Sequence, residues 1–273
     1  MAETMKKVLF VNSEIFPYLP ESEMSMVGRQ LPQGIQERKK EIRSFMPRFG
    51  CINERKNQLH EVIRLSGINI VIGDVDRPLV IKVASIPAAR IQVYFIDNED
   101  YFRRKAVYAD ADGRFFSDND ERAIFFAKGV LETVKKLRWA PDIIHCQGWI
   151  SHLVPLYLKK VYNGDPIFSN SKVVTSLYGD ITGERFAPSF KDTVRFGSIN
   201  PEDVPLLDDP TGINLAETAA MYSDGIIFGA GDVDKELVKY CKGLGVPTLP
   251  FDEESVSSGR YIEEYDGFYQ QLQ

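Results

Sequence analysis

Apolar positions change their spacing along this chain, and each change marks an element. Lys7–Asn12, KVLFVN, is a short β-branched and aromatic run closed by Asn-Ser, and it predicts a strand. A loop over 13–25 carries Pro17 and Pro20. Residues 26–40 then show helical spacing interrupted by Gly28, Pro32 and Gly34. Glu41–Met46 predicts a second strand, closed by Pro47. Strand, helix and strand at this spacing form a βαβ unit, which implies a parallel sheet with a right-handed crossover.

From Leu59 to Ile96 the pattern is different. Ile68–Ile72, Leu79–Ala84 and Ile91–Ile96 are β-rich runs with short polar gaps, and Asp74–Pro78 reads as a hairpin turn. An antiparallel addition is expected here, with the last run rejoining the main sheet. Tyr101–Ser117 is polar and aromatic and reads as an ordered excursion over the sheet. Ile124, Ala127, Leu131 and Val134 then share one helical face. Asp118 followed by Glu121 predicts a capping box, and Lys135, Lys136 and Arg138 suit the carboxyl end of the helix dipole.

The stretch 141–155, PDIIHCQGWISHLVP, predicts a strand at Ile143-Ile144. A loop holding His145, Cys146, Gln147 and Trp149 follows, then a helix over 152–162. Lys172–Tyr178 is a strand, and 179–209, rich in Pro, Asp and Gly, predicts a long surface loop with at most one short helix. Leu215–Tyr222 and Val233–Tyr240 read as helices, Gly225–Phe228 and Pro247–Phe251 as strands. Tyr261, Tyr265, Phe268 and Leu272 place a terminal helix at about 258–272 that packs back on the body. There is no internal repeat and no Pro/Gly/Ser linker. The pattern therefore predicts one Rossmann-like α/β domain over 1–273, with a mainly parallel sheet and a small antiparallel addition. In such sheets ligands bind outside the carboxyl ends of the strands, which directs attention to the loop at 145–149.

A formal charge of −6 over 273 residues gives no basic face, so nucleic acid is not an expected partner. The opening MAETMKK leads into Val8–Val11, too short for the apolar core of a signal peptide, and no run is long enough to cross a bilayer. A cytoplasmic protein without membrane contact is expected. Cys51, Cys146 and Cys241 lie far apart, and His60, His145 and His152 form no ligand motif, so neither a disulfide framework nor a metal or other cofactor is expected.

The candidate site residues each have a bland alternative. His145 reads as a satisfied histidine at a strand end before it reads as a ligand. Gln147 can bond a sugar hydroxyl or its own backbone. Trp149 can stack on a sugar ring or fill a core. Cys146 has no neighbouring base and is a poor nucleophile. Glu21 and Glu23 are solvated loop carboxylates before they are acid/base groups. Gly229-Ala230-Gly231-Asp232 lies between strand and helix like a phosphate loop, but Asp232 can equally cap the helix. Tyr101, Phe102, Tyr108, Phe115 and Phe116 offer either a sugar-binding surface or lid packing. A dinucleotide-binding oxidoreductase is disfavoured, because no glycine occurs between Asn12 and Met26.

Five segments in order resemble the glycogen and starch synthases. VLFVNSEIFPYLPESEMSMVGRQLP resembles the family's opening strand, Ser-Glu, proline and Lys-Thr-Gly-Gly loop, with Ser13, Glu14, Pro17, Leu31 and Pro32 in register. Met46–Gly50 resembles its Met-Pro-x-Tyr-Gly, SDNDERAIFF its Asp-Asn-x-Glu-Arg-Phe helix start, and 219–228 its Ala-Asp strand entry. The stretch 141–155 resembles its Pro-Asp-Val-Val-His-x-His-Asp-Trp-His. The resemblance implies the N-terminal domain of a GT-B glycosyltransferase. The family's reaction moves glucose from ADP- or UDP-glucose to an α-1,4-glucan without a metal. It also implies Glu21, Ser22, His145, Gln147, Trp149, Tyr178 and Asp180 as ligand-binding candidates, with no confident catalytic residue.

The departures from the family pattern bear on activity. Pro20, Glu21, Ser22 and Glu23 stand at the Lys-Thr-Gly-Gly positions, removing a cation and bare backbone amides that suit a diphosphate. At an effective dielectric near 20, one like-charge contact there costs on the order of 4 kcal/mol. Ile150 replaces a histidine beside the transferred sugar, and Ser176-Leu177 replaces a His-Asn pair. The resemblance reaches only the first of the family's two domains. The expectation is a chain inactive alone that binds an α-glucan, a nucleotide sugar or a protein partner. The alternative is a transferase completed by a second polypeptide or a homodimer.

Overall fold

The computed structural model describes residues Lys7–Gln273, so the leading MAETMK, read above for a targeting signal, lies outside the described residues. The strands are β1 (Lys7–Asn12), β2 (Glu41–Pro47), β3 (His60–Glu61), β4 (Ile68–Ile72), β5 (Val75–Ile86), β6 (Ile91–Asp97), β7 (Ile143–Gln147), β8 (Lys172–Leu177), β9 (Gly225–Phe228) and β10 (Thr248–Leu249). The helices are α1 (Glu23–Glu37), α2 (Glu99–Phe102), α3 (Asn119–Lys136), α4 (Leu153–Lys160), α5 (Phe190–Thr193), α6 (Gly212–Met221), α7 (Lys235–Gly243), α8 (Glu253–Ser258) and α9 (Tyr261–Gln271). The sheet runs β10-β9-β8-β7-β1-β2-β6-β5-β3, with β4 paired to β5 off that path. Every pairing from β10 to β6 is parallel; β5 pairs antiparallel with β3, β4 and β6.

The central strands are buried without alternation because both sheet faces are covered, as parallel strands require. On one face Val8, Phe10, Ile143, Val174 and Ile227 meet Val27, Leu31 and Ile35 of α1 and Tyr261, Tyr265, Phe268 and Tyr269 of α9. On the other, Leu9, Val11, Ile144 and Cys146 belong to the larger core shared with α3 and α4. A pair of half-buried Lys40 with buried Asp266, at 2.6 Å, fastens α9 beside β2.

Several expected boundaries move, each for a local reason. Helix α1 begins at Glu23 and not Met26, because Ser22 caps it: Ser22 Oγ accepts from Ser25 N at 3.0 Å and Ser25 Oγ from Ser22 N at 2.8 Å. The hairpin turn is Gly73-Asp74, and 75–78 are already strand; Gly73 has φ of 56°, the glycine that a two-residue II′ turn needs at its first position. Asp118 makes no capping bond, since its carboxylate turns to Arg104. Strand β7 extends through Gln147, so His145, Cys146 and Gln147 lie in the sheet and not in a loop; Asn12 and Ser176 flank Gln147 in register. A 3₁₀ turn, Trp149–Ser151, leads into α4. The 179–209 segment is not a surface loop. It carries α5 and two 3₁₀ turns and buries Phe186, Phe190, Val194, Val204 and Leu207. A separate α8 precedes the terminal helix, broken from it at Gly259 with φ of 79°.

Helix α1 approaches the loop after β1 so closely that a Cβ on Gly28 would stand 2.3 Å from the Glu14 carbonyl oxygen. On Gly34 it would meet only the Ile262 side chain, at 2.5 Å, which can turn away. Gly28→Ala should therefore lose about 1–3 kcal/mol in urea denaturation despite alanine's helix preference, and Gly34→Ala distinctly less.

Candidate functional site

The carboxyl ends of β1, β7, β8 and β9 converge with the amino end of α1. Gln147 closes β7 and is 1% exposed. Its Nε2 donates to the Met24 carbonyl of α1 and to the Tyr178 hydroxyl, both at 2.9 Å, while its Oε1 has no partner. Tyr178 packs with Met24 and Ala230. A Cβ on Gly229 would fall 2.4 Å from its ring, so that glycine makes room for a tyrosine. Gly148 follows at φ of 77°, its backbone pressed against Ser13 and Met24.

Carboxylates ring this floor. Glu14 accepts from Ser22 Oγ at 2.9 Å, and burial raises its pKa against that bond. Asp180 accepts from Trp149 N at 3.0 Å. Desolvation, with Glu14 and Asp232 adding charge of the same sign, pushes its carboxyl upward; the residue is exposed overall, and water tempers that push. Asp232 does not cap the following helix. Its Oδ1 accepts from Gly179 N at 3.3 Å, and Asp234 caps α7 through Glu236 N and Leu237 N. Beyond it, a cavity of about 470 Å³ is lined by Glu23, Ala230, Gly231, Asp232, Phe251, Glu253, Val256 and Ser257. Burial first, then Asp232 and Glu253, raise the Glu23 pKa. Glu21 and Glu23 are exposed, so the repulsion expected of them from sequence is screened well below its buried value. The closure of α1 matters more. Its capping box takes two of the backbone donors, those of Ser22 and Ser25, that an open helix start would offer an anion.

The structure brings Ser22, Gln147, Tyr178 and Asp180 to one floor and leaves Glu21 at its exposed rim. It removes His145 and Trp149 from reach. His145 is 1% exposed beneath α9, with Nε2 2.6 Å from Ser176 Oγ and Nδ1 2.7 Å from the Tyr269 hydroxyl. Both nitrogens are taken. Trp149 is fully buried against Tyr108, Phe115 and Phe186. Tyr101 and Phe102 are buried, and Phe116 lies under Arg104 at 4.2 Å, so the aromatic excursion packs inward. Ile150 is buried, and Cys146 is sealed in the core. Residues 179 and 232 meet across the floor, and Tyr269 reaches His145 from the far end of the chain; only the aromatic periodicity of the last helix hinted at the second contact. Among the described residues, no group of three or more His, Cys, Asp or Glu could hold a metal, and no helix is long and apolar enough to cross a membrane.

Residues 7–246 match the family described as starch synthase catalytic domain. The chain belongs to the glycogen and starch synthase family. It is 40% identical over 289 residues to the glycogen synthase of Chlorobium phaeobacteroides, covering 98% of this chain and 59% of that protein. It is 38% identical over 227 residues to that of Chlorobium limicola, covering 82% and 45%. The chain thus spans about half the length of these relatives. Its fold is shared with the catalytic domain of starch synthase IV from Arabidopsis thaliana, bound to ADP and acarbose. The TM-score is 0.73 at 14% identity, over 91% of this chain and 51% of that one. The fold class expected from sequence, a mainly parallel GT-B-type α/β sheet with a small antiparallel addition, is the one found.

Both buried imidazoles carry a pH dependence. Burial lowers His145 and His152 to about 3, and His152 has no partner at either nitrogen. Unfolded histidine binds a proton near pH 6.5. Between pH 6.5 and 3 the unfolded chain holds more protons, so stability present above 6.5 is lost as pH falls. His152 alone should account for about 2 kcal/mol between pH 7 and 5. Urea denaturation at both pH values should show His152→Leu losing that much less than the unaltered chain. An equal decline in both would refute the assignment.

Proposed function

We propose that the strand-end floor takes an α-glucan in preference to a nucleotide sugar, and that the chain by itself does not transfer glucose. The carrying observation is the amino end of α1, where the family pattern places Lys-Thr-Gly-Gly. Here Ser22 and Ser25 bond each other's backbone amides, Ser22 also donates to Glu14, and no lysine is present in that loop. A diphosphate would find two of that helix start's amides taken and no lysine beside it, and would meet Glu23, Asp232 and Glu253. The hydroxyls of a neutral sugar suit such an acceptor-rich surface, since each donates to carboxylate or carbonyl oxygen. The chain then acts as a glucan-binding module in polysaccharide metabolism.

Calorimetric titration of the purified chain with maltooligosaccharides, ADP-glucose and UDP-glucose tests this directly. Heat is expected with the oligosaccharides alone, and no labelled glucose should enter glycogen. Saturable binding of either nucleotide sugar, or incorporation of label by the chain alone, would overturn the reading. A second reading rests on the half-length match to the relatives: a transferase completed by a second polypeptide or by a second copy. It predicts that incorporation appears only when the completing chain is added.

A further inference from the structure

The cavity of about 470 Å³ beside the strand-end floor has a feature the floor lacks, the half-buried ring of Phe251 in its wall. The ring is braced from behind by the core cluster that holds Phe228, Val233 and Leu237. Gly231 leaves its flank bare, since a Cβ there would touch the ring at 3.4 Å. Ala230 and Val256 add apolar surface. Ala230 also packs with Tyr178 and Met24, so one apolar strip runs from the floor into the cavity. Around it stand the exposed carboxylates of Glu23, Asp232 and Glu253. An apolar wall with a few polar groups to fix orientation is the make-up of a small-molecule site, and the volume lies in the range of such sites. Phe251 lies past residue 246, where the match to the starch synthase catalytic domain ends, so that match carries no role over to it.

We infer that this cavity is a further subsite for the glucan, in which the ring of Phe251 stacks on one hexose while Glu23, Asp232 and Glu253 accept hydrogen bonds from its hydroxyls. The inference rests on the glucan reading of the floor and extends it along the strip formed by Tyr178, Met24 and Ala230. An anion would face three charges of its own sign. A wholly apolar ligand would strip water from the carboxylates and offer them no donor in return. A small cation gains little, because the three carboxylates are exposed and water and salt screen them. A hexose answers both parts of the wall: its C–H face lies on the ring, and its hydroxyls donate to the carboxylates.

The test titrates the intact chain calorimetrically with maltohexaose, with spermidine as the cationic control. Phe251→Leu keeps apolar bulk against the core but removes the ring face, and it should weaken maltohexaose binding about five- to tenfold. Phe251→Tyr keeps the ring and should leave the affinity unchanged, a distinction that a merely structural role for Phe251 would not make. If Phe251→Leu does not fold, crystals of the unaltered chain grown with maltohexaose decide: a hexose against the Phe251 ring supports the subsite, and sugar found only elsewhere refutes it. Maltohexaose binding Phe251→Leu as tightly as the unaltered chain would overturn the subsite and leave the glucan reading of the floor standing. The same holds if the change weakens spermidine and spares maltohexaose. No binding of maltohexaose by the unaltered chain would remove both.

Discussion

Gln147 ends the central strand with its side-chain amide donating in two directions, to the start of α1 and to the hydroxyl of Tyr178. Those two bonds join three segments that are remote in sequence, and both are out of water, where a lost partner is felt most. The floor of the strand-end site takes its shape from them. Met24 is drawn in, which brings Ser22 to Glu14, and Tyr178 is held over a glycine that leaves room for its ring. Gly28 and Gly148 permit the same convergence by leaving out side chains where backbone must pass.

On the proposed reading, family membership and the family's donor chemistry part company at the start of α1. The scaffold needs the sheet, the Gly28 contact and the crossing of α1, and those are intact. The donor side needs a helix start left open to phosphate. In this chain a serine pair takes two amides of that helix start, and carboxylates line the cavity beside it. Water screens the exposed glutamates, so on the proposed reading the internal bonds weigh more than the charges.

Much of the architecture was legible because parallel strands buried on both faces leave unbroken apolar runs: β1 and β9 fall where their runs fall. What escaped was governed by partners distant in sequence. Polar His145 and Gln147 looked like loop residues, yet ladder pairing on both sides carries the strand through them. Asp118 had the spacing of a cap, but an arginine fourteen residues earlier claims its carboxylate. Asp232 had the position of a cap and reaches Gly179 instead. Phe186, Phe190 and Leu207 are spaced too widely among prolines for any periodicity to reveal, and only the tertiary structure shows them as core.

The family match stops at residue 246, whereas Tyr261, Tyr265, Phe268 and Tyr269 form one wall of the core cluster that buries Val8, Phe10 and Ile143. The catalytic-domain match and the folded unit thus end at different residues. A fragment trimmed to residues 7–246 would lay bare an oily seam and a stranded imidazole, and would invite clumping before any ligand could be offered to it.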